Sequence, residues 1–360
     1  MRVATLLPLL LAVVAAPLHA QQIPDDVASR IDRVFARFDR TDGPGCAVGV
    51  VRSGSLVHAR GFGIGNLDHG IPITPRSVFY LASVAKQFTA AAVLIAAHEG
   101  ALSLDDSLHR WIPEFPEWGR PVTLRQMLHH TSGIPDFLLL MQRDGIPWEN
   151  ILTDEAALAL ITSQPGTEFP PGTETRYSNS NYLLLGEITR RATGRTLAQF
   201  AESRIFRPLG MTHTHFHDDR TAVVPGRIFS YDAGPDGTWR TNYNMNFDRV
   251  GGGGLYSSVE DLARWEGAFL DDRLGVPDFA ALMLQRGVLD SGDSTDYALG
   301  LGIGSRGGRL RVAHGGGFMA FRTSRAWYPD EQLAVLVLCN DGSVDAAALS
   351  REVEGILLDP

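Results

Sequence analysis

Lysine is almost missing from this chain of 360 residues: 32 residues are Lys or Arg, and a single one of them, Lys86, is lysine. Arginine keeps its proton in any protein environment, whereas a desolvated lysine can lose one. A chain that uses arginine everywhere else has kept, at one position, the cation whose proton is removable. Cysteine is nearly missing too. Two residues, Cys46 and Cys339, are too few for a disulfide scaffold. Both lie in apolar runs, CAVGVV and LAVLVLC, where buried free thiols are the ordinary reading. If those runs pair as antiparallel strands, the start of one faces the end of the other, and a disulfide is open to them. Long basic runs are absent and the net charge is −9, which argues against nucleic acid as a partner. Past the N-terminus no apolar run is long enough to span a membrane.

The first residues have the pattern of a secretory signal peptide. Arg2 precedes an apolar stretch from Ala4 to Ala16, and Ala20 stands before Gln21 and Gln22. Pro8 and Pro17 speak against a buried helix. The expectation is a cleaved leader over residues 1–20 and an exported, secreted or periplasmic chain over 21–360. No cysteine near the cleavage point offers a lipid anchor, so no stable membrane anchor is expected.

Short apolar strand patterns cluster at the two ends of the chain. Cys46 to Arg52 and Leu56 to Gly61 form a hairpin signal around Ser53-Gly54. Arg309 to Ala313, Phe321 to Trp327 and Gln332 to Cys339 read as three more strands, with turns at Gly315–Gly317 and Pro329-Asp330. Between them the chain is mostly helical pattern. This predicts a mixed α/β (α+β) architecture. One five-stranded antiparallel sheet is built from both ends and flanked by helices, beside a mostly helical subdomain. It is one domain, with a sheet part at 24–82 and 295–360 and a helical part at 83–294. The site belongs in the cleft between the parts.

Three elements carry chemistry. In YLASVAKQFTA, Ser83 and Lys86 form S-x-x-K, which puts a nucleophile and a base on one helical face. A helix start also offers free N–H groups to an oxyanion. Tyr177-Ser178-Asn179 sits in a loop before a helix. A tyrosine beside a lysine is expected to have a lowered pKa and to take part in proton transfer, and Asn179 offers an amide to substrate. His314-Gly315-Gly316-Gly317 provides glycines that let another chain approach the backbone.

In this order and at these distances the three elements resemble the serine penicillin-binding proteins and β-lactamases. The class C branch, with its DD-peptidases, D-aminopeptidases and esterases, fits best. LSLDDSLHRWIPEFP, VTLRQMLHHTSGIPDF, IFRPLGMTHTHF and GGGGLYSSVEDLARW also resemble it, so the likeness covers nearly the whole mature chain. It implies a β-lactamase/transpeptidase-like fold with Ser83 as nucleophile, and Lys86 and Tyr177 as acid and base. It implies substrate contacts at Asn179, His314, Gly315 and Gly316, and an oxyanion hole from the N–H groups of Ser83 and Gly317. No metal and no cofactor are implied.

The chain departs from the family at the third element. Most β-lactamases and DD-peptidases have Lys-Thr-Gly there; this chain has His314-Gly315-Gly316. A histidine at its ordinary pKa is mostly neutral at pH 7. A substrate carboxylate would lose a charge-assisted bond of about 1.5–3 kcal/mol. The expected function is therefore ester or amide hydrolysis through an acyl-serine, of esterase or D-amino-acid peptidase type, on small-molecule ester, amide or D-amino-acid peptide substrates. The competing readings are a true class C β-lactamase or DD-carboxypeptidase, and a non-catalytic scaffold that binds peptidoglycan or a partner.

Other conspicuous residues carry less. His213, His215 and His217 alternate as on a strand face; solvent-facing polar alternation explains them better than zinc. Gly133, after His129-His130-Thr131-Ser132, reads as a helix C′ residue. Neither Gly251–Gly254 nor Gly61–Gly65 completes a nucleotide-binding motif.

Overall fold

The computed structural model describes residues 22–147, 150, 152–242 and 249–359. The expected leader, residues 1–20, lies outside them. The main sheet contains β1 (Cys46–Arg52), β2 (Ser55–Phe62), β3 (Gly302–Arg306), β4 (Arg309–Phe318), β5 (Phe321–Tyr328) and β6 (Leu333–Cys339). Their order is β3-β4-β5-β6-β1-β2, antiparallel throughout. The sheet thus has six strands where the sequence predicts five. The missed strand, β3 (GIGSR), has glycine at alternate positions and no apolar stripe, so periodicity does not reveal it.

The two ends of the chain meet at β1 and β6. Their register runs from Cys46↔Cys339 to Arg52↔Leu333. Along β1 the faces alternate: Cys46, Val48 and Val50 join one apolar layer, while Ala47 and Val51 join the other. Cys46 and Cys339 are directly opposite, fully buried and disulfide-bonded across 293 residues of sequence. The free-thiol reading is corrected here, because the register places both sulfurs in the same layer.

The helices that matter to the site are α1 (Asp25–Val34), α2 (Lys86–His98), α3 (Leu124–Leu128), α4 (Phe137–Arg143), α5 (Asn179–Thr193), α6 (Val259–Gly267) and α7 (Ala346–Leu358). α1 and α7 pack together on one face of the sheet, and α6 packs on β1, β2 and β6. α2 is buried from Lys86 to Ala96, which explains why its sequence is apolar all round. It packs against α5. Among the described residues no helix is long and apolar enough to cross a membrane.

Two sequence expectations about turns are overturned. Gly315–Gly317 is not a turn: β4 continues to Phe318, and the chain reverses at Met319-Ala320, with Met319 at φ 50°. Gly316 serves close approach instead. A Cβ on Gly316 would lie 2.3 Å from both the Leu81 carbonyl oxygen and Thr323 Oγ1. The left-handed residue that ends α3 is His130, at φ 58°, rather than Gly133. This brings the His130 ring under the start of α5.

Candidate active site

The nucleophile candidate stands at a bend. The short strand Phe79–Tyr80 stops before Leu81, Ala82 takes a left-handed φ of 49°, and a 3₁₀ turn over Ala82–Ala85 leads into α2. The Thr323 hydroxyl donates to the Leu81 carbonyl across 2.9 Å, tying this bend to β5. Ser83 is half-buried in the turn, and Lys86 follows one turn later, fully buried.

Three acceptors surround the lysine nitrogen. Lys86 Nζ donates to Ser83 Oγ at 3.2 Å, Asn179 Oδ1 at 2.8 Å and the Gly252 carbonyl at 2.7 Å. Thr89 holds the neighbouring Gly251 carbonyl, and the Tyr80 hydroxyl accepts from Gly254 N–H, so this glycine loop is pinned on both sides. Burial pushes Lys86 down to about 7, against an opposing pull from the Asp136 carboxylate.

Tyr177 lies just before α5; part of the residue is open to solvent, while its hydroxyl is turned inward toward Ser83. Its expected acidification does not occur. Lys86 Nζ sits over the ring, 4.7 Å from the centroid, and burial of the phenol raises its pKa. The nearby Ser83 hydroxyl pulls the other way by less. The phenol is therefore neutral over the working pH range.

At the start of α5, Ser178 occupies the N-cap position but its side chain caps nothing. Two side chains from the segment after α3 take over. His130 Nδ1 accepts from Ser178 N–H at 3.2 Å, and Asp136 Oδ2 accepts from Asn179 N–H at 2.8 Å. Asp136 Oδ2 also accepts from Asn179 Nδ2 at 2.7 Å, which leaves Asn179 Oδ1 for the lysine.

His314 joins the cluster from β4, its ring 6.1 Å from that of Tyr177. Its Nδ1 donates to the Gly315 carbonyl at 2.7 Å, and its Nε2 accepts from the Tyr297 hydroxyl at 3.0 Å. Burial and the adjacent Lys86 lower it to about 4. It is neutral and both of its nitrogens are engaged.

Ser83, Asn179 and Gly317 line one cleft. Tyr80, Phe137, Leu138, Leu183, Val250 and Phe318 make its walls largely apolar. Arg249 lies at its edge, over the Phe137 ring and donating to the Leu152 carbonyl.

The structure thus brings all the predicted site residues to one place: Ser83, Lys86, Tyr177 and Asn179 on one side, with His314, Gly315, Gly316 and Gly317 on the strand opposite. Sequence reasoning missed Asp136, His130, Tyr297 and the Gly252 carbonyl. His130 and Gly252 stood in stretches weighed for other roles; nothing local marked Asp136 or Tyr297. The histidine alternation resolves differently from expectation. Only His215–Phe216 is strand, His217 is buried, and Thr214, between His213 and His215, bonds Asp261. His215 stacks on Tyr256, and burial lowers it to about 4. Among the described residues no cluster of three His, Cys, Asp or Glu is placed to hold a metal.

The profile of the family described as Beta-lactamase matches residues 31–356. The chain belongs to the beta-lactamase family. Within the family it is 29 % identical over 329 residues to a D-aminopeptidase of Gluconobacter oxydans, an alignment covering 91 % of this chain and 62 % of that protein. It is 30 % identical over 307 residues to penicillin-binding protein 4* of Bacillus subtilis, covering 80 % and 66 % respectively. The chain therefore spans roughly three fifths to two thirds of the length of these curated relatives. The octameric penicillin-binding protein homologue from Pyrococcus abyssi superposes with a TM-score of 0.80 at 25 % identity, over 93 % of this chain and 77 % of that one. The large antiparallel sheet flanked by helices is the fold shared with these penicillin-binding structures.

Proposed function

We propose that this protein is an exported serine hydrolase that cleaves esters or amides through an acyl-Ser83 intermediate. The observation that carries the reading is the contact between Ser83 Oγ and a buried lysine held at about 7. Neutral Lys86 takes the Ser83 hydroxyl proton as Oγ attacks the carbonyl carbon. The N–H groups of Ser83 and Gly317 stabilise the oxyanion. As the tetrahedral intermediate collapses, the neutral Tyr177 hydroxyl gives its proton to the leaving amine or alkoxide and is refilled from Lys86. Water then attacks the acyl carbon, with the same groups working in reverse.

Substrate choice follows from the opposite wall. Neutral His314, with both nitrogens engaged, offers no cation to a carboxylate, and the cleft is largely apolar. These features favour apolar esters and D-amino-acid amides or peptides over β-lactams and D-Ala-D-Ala peptides. The D-aminopeptidase relative supports the amide side of that range. The leader pattern and the buried disulfide support export, since disulfides persist in oxidising compartments. A fluorophosphonate probe should label the wild-type protein and leave Ser83→Ala unlabelled. Undiminished labelling of that variant refutes the assignment. Turnover across short-chain esters, D-amino-acid amides, D-Ala-D-Ala peptides and β-lactams then ranks the substrate classes.

A further inference from the structure

Asp136 takes no part in the steps above, yet its carboxylate is fully committed within the site. It caps α4, where Oδ1 accepts from Leu138 N–H at 2.8 Å. Oδ2 accepts from both the backbone N–H and the side-chain Nδ2 of Asn179, at 2.8 and 2.7 Å. The residue is 7 % exposed. We propose that Asp136 is a positioning residue for the Lys86 base: it turns the Asn179 amide so that its oxygen meets the lysine, and it supplies the negative charge of the site.

An asparagine amide has a donor end and an acceptor end, and only the acceptor end suits a lysine. With Nδ2 bound to Asp136, Oδ1 is the end left facing Lys86 Nζ. The grip on the Asn179 backbone N–H also anchors the start of α5, and with it the Tyr177-Ser178-Asn179 segment. His130 holds the preceding N–H in the same way.

The charge argument is equally local. Tyr177 and Tyr182 turn their rings toward Lys86 Nζ, with centroids 4.7 and 5.7 Å away. His130 and His314 are kept well below their ordinary pKa by burial and by Lys86 itself, and both are neutral. Burial keeps Tyr297 protonated. Asp136 is the anion among these groups, and it acts against the desolvation of the lysine. Without it, Lys86 would lose its proton at lower pH and the Asn179 amide would be free to turn.

The proposal rests on the hydrolase reading for its consequence, but the absence of any other lysine allows a test independent of turnover. Protein labelled with [ε-¹³C]lysine carries a single lysine side-chain resonance, that of Lys86. Its chemical shift should titrate with a midpoint near 7 in the wild type. In Asp136→Asn and Asp136→Ser the midpoint should fall by about one pH unit. Both replacements are good N-caps and keep α4 capped. Asp136→Glu, which restores the charge, should bring the midpoint back toward the wild-type value. The acid limb of kcat/KM for p-nitrophenyl acetate should move with the resonance, and the plateau should drop on the order of tenfold. An unchanged lysine midpoint in both uncharged variants overturns the proposal. A shifted midpoint in protein that hydrolyses nothing upholds the role of Asp136 and defeats the hydrolase reading instead.

Discussion

Tyr297 donates its phenolic hydrogen to Nε2 of His314 across 3.0 Å, and this bond, with the one from Nδ1 to Gly315, leaves the imidazole with no free nitrogen. Many family members place a lysine at this point of the strand. A substrate carboxylate therefore meets a neutral, occupied ring here, and forfeits a charge-assisted bond of about 1.5–3 kcal/mol. That corresponds to roughly 10–150-fold in acylation. Nitrocefin should be turned over at least about tenfold less efficiently, by kcat/KM, than p-nitrophenyl butyrate. Comparable efficiencies on the two substrates would show that a carboxylate is bound by some other route.

The pH dependence of turnover follows from Lys86. As a base it must be neutral. Burial lowers it to about 7, so the active fraction is small at pH 6, half at about 7 and nearly full at 8. His314, at about 4, stays neutral over this whole range and adds no second limb. The kcat/KM of the wild type should rise through one inflection near 7. Lys86→Arg keeps the charge but cannot release it, and should lose about 10²–10⁴-fold. A near-wild-type rate in Lys86→Arg, or a profile flat from pH 5 to 9, would remove the lysine from the base role.

Much of this site was legible in the sequence because its parts are local patterns. S-x-x-K needs only one helical turn to bring Ser83 and Lys86 together. Placing Tyr177 before a helix needs only periodicity. What stayed hidden depends on three-dimensional contact. Asp136 follows a proline with no local pattern to mark it, and joins the site only where the segment behind α3 meets the start of α5. The raised pKa of Tyr177 comes from burial of its phenol, which spacing does not specify. In the fold, β1 and β6 are visible as two apolar runs while their pairing is left open, and β3 has no apolar face to announce it. Gly315–Gly317 reads as a turn in the sequence, but the run is strand, and Gly316 is where the absence of a side chain allows contact with Leu81.

The disulfide ties the first strand of the sheet to the last. Cys46 and Cys339 close a loop spanning 293 residues inside a fully buried layer. Such a cross-link restricts the unfolded chain, and native disulfides typically contribute about 2–4 kcal/mol. Urea unfolding of Cys46→Ala/Cys339→Ala should show a lower midpoint than the oxidised wild type by a corresponding amount. Reductant should lower the wild-type midpoint and leave that of the double variant unchanged. Equal midpoints for oxidised wild type and double variant would mean the two sulfurs are not bonded in the folded protein.

The last prediction concerns the contact between β4 and the nucleophile turn. Gly316 touches the Leu81 carbonyl, one residue before the strained Ala82 and two before Ser83. An added Cβ would lie 2.3 Å from that carbonyl and from Thr323 Oγ1, and real contacts of this kind are never so short. The backbone must move, and the Thr323 hydrogen bond that fixes Leu81 must break or bend. Gly316→Ala should cost about 1–3 kcal/mol of stability. It should also slow acylation on the order of 100-fold, because displacements of about 1 Å at the reacting atom have effects of that size. At Gly315 a Cβ would meet only the Thr323 carbonyl oxygen, at an ordinary contact distance of 3.7 Å. Gly315→Ala should therefore melt close to wild type and slow acylation far less than Gly316→Ala. The contrast between adjacent glycines is the readout, measured as thermal midpoint and p-nitrophenyl acetate kcat/KM for each variant. Equal behaviour of the two variants would show that close packing at Leu81 does not hold Ser83 in place.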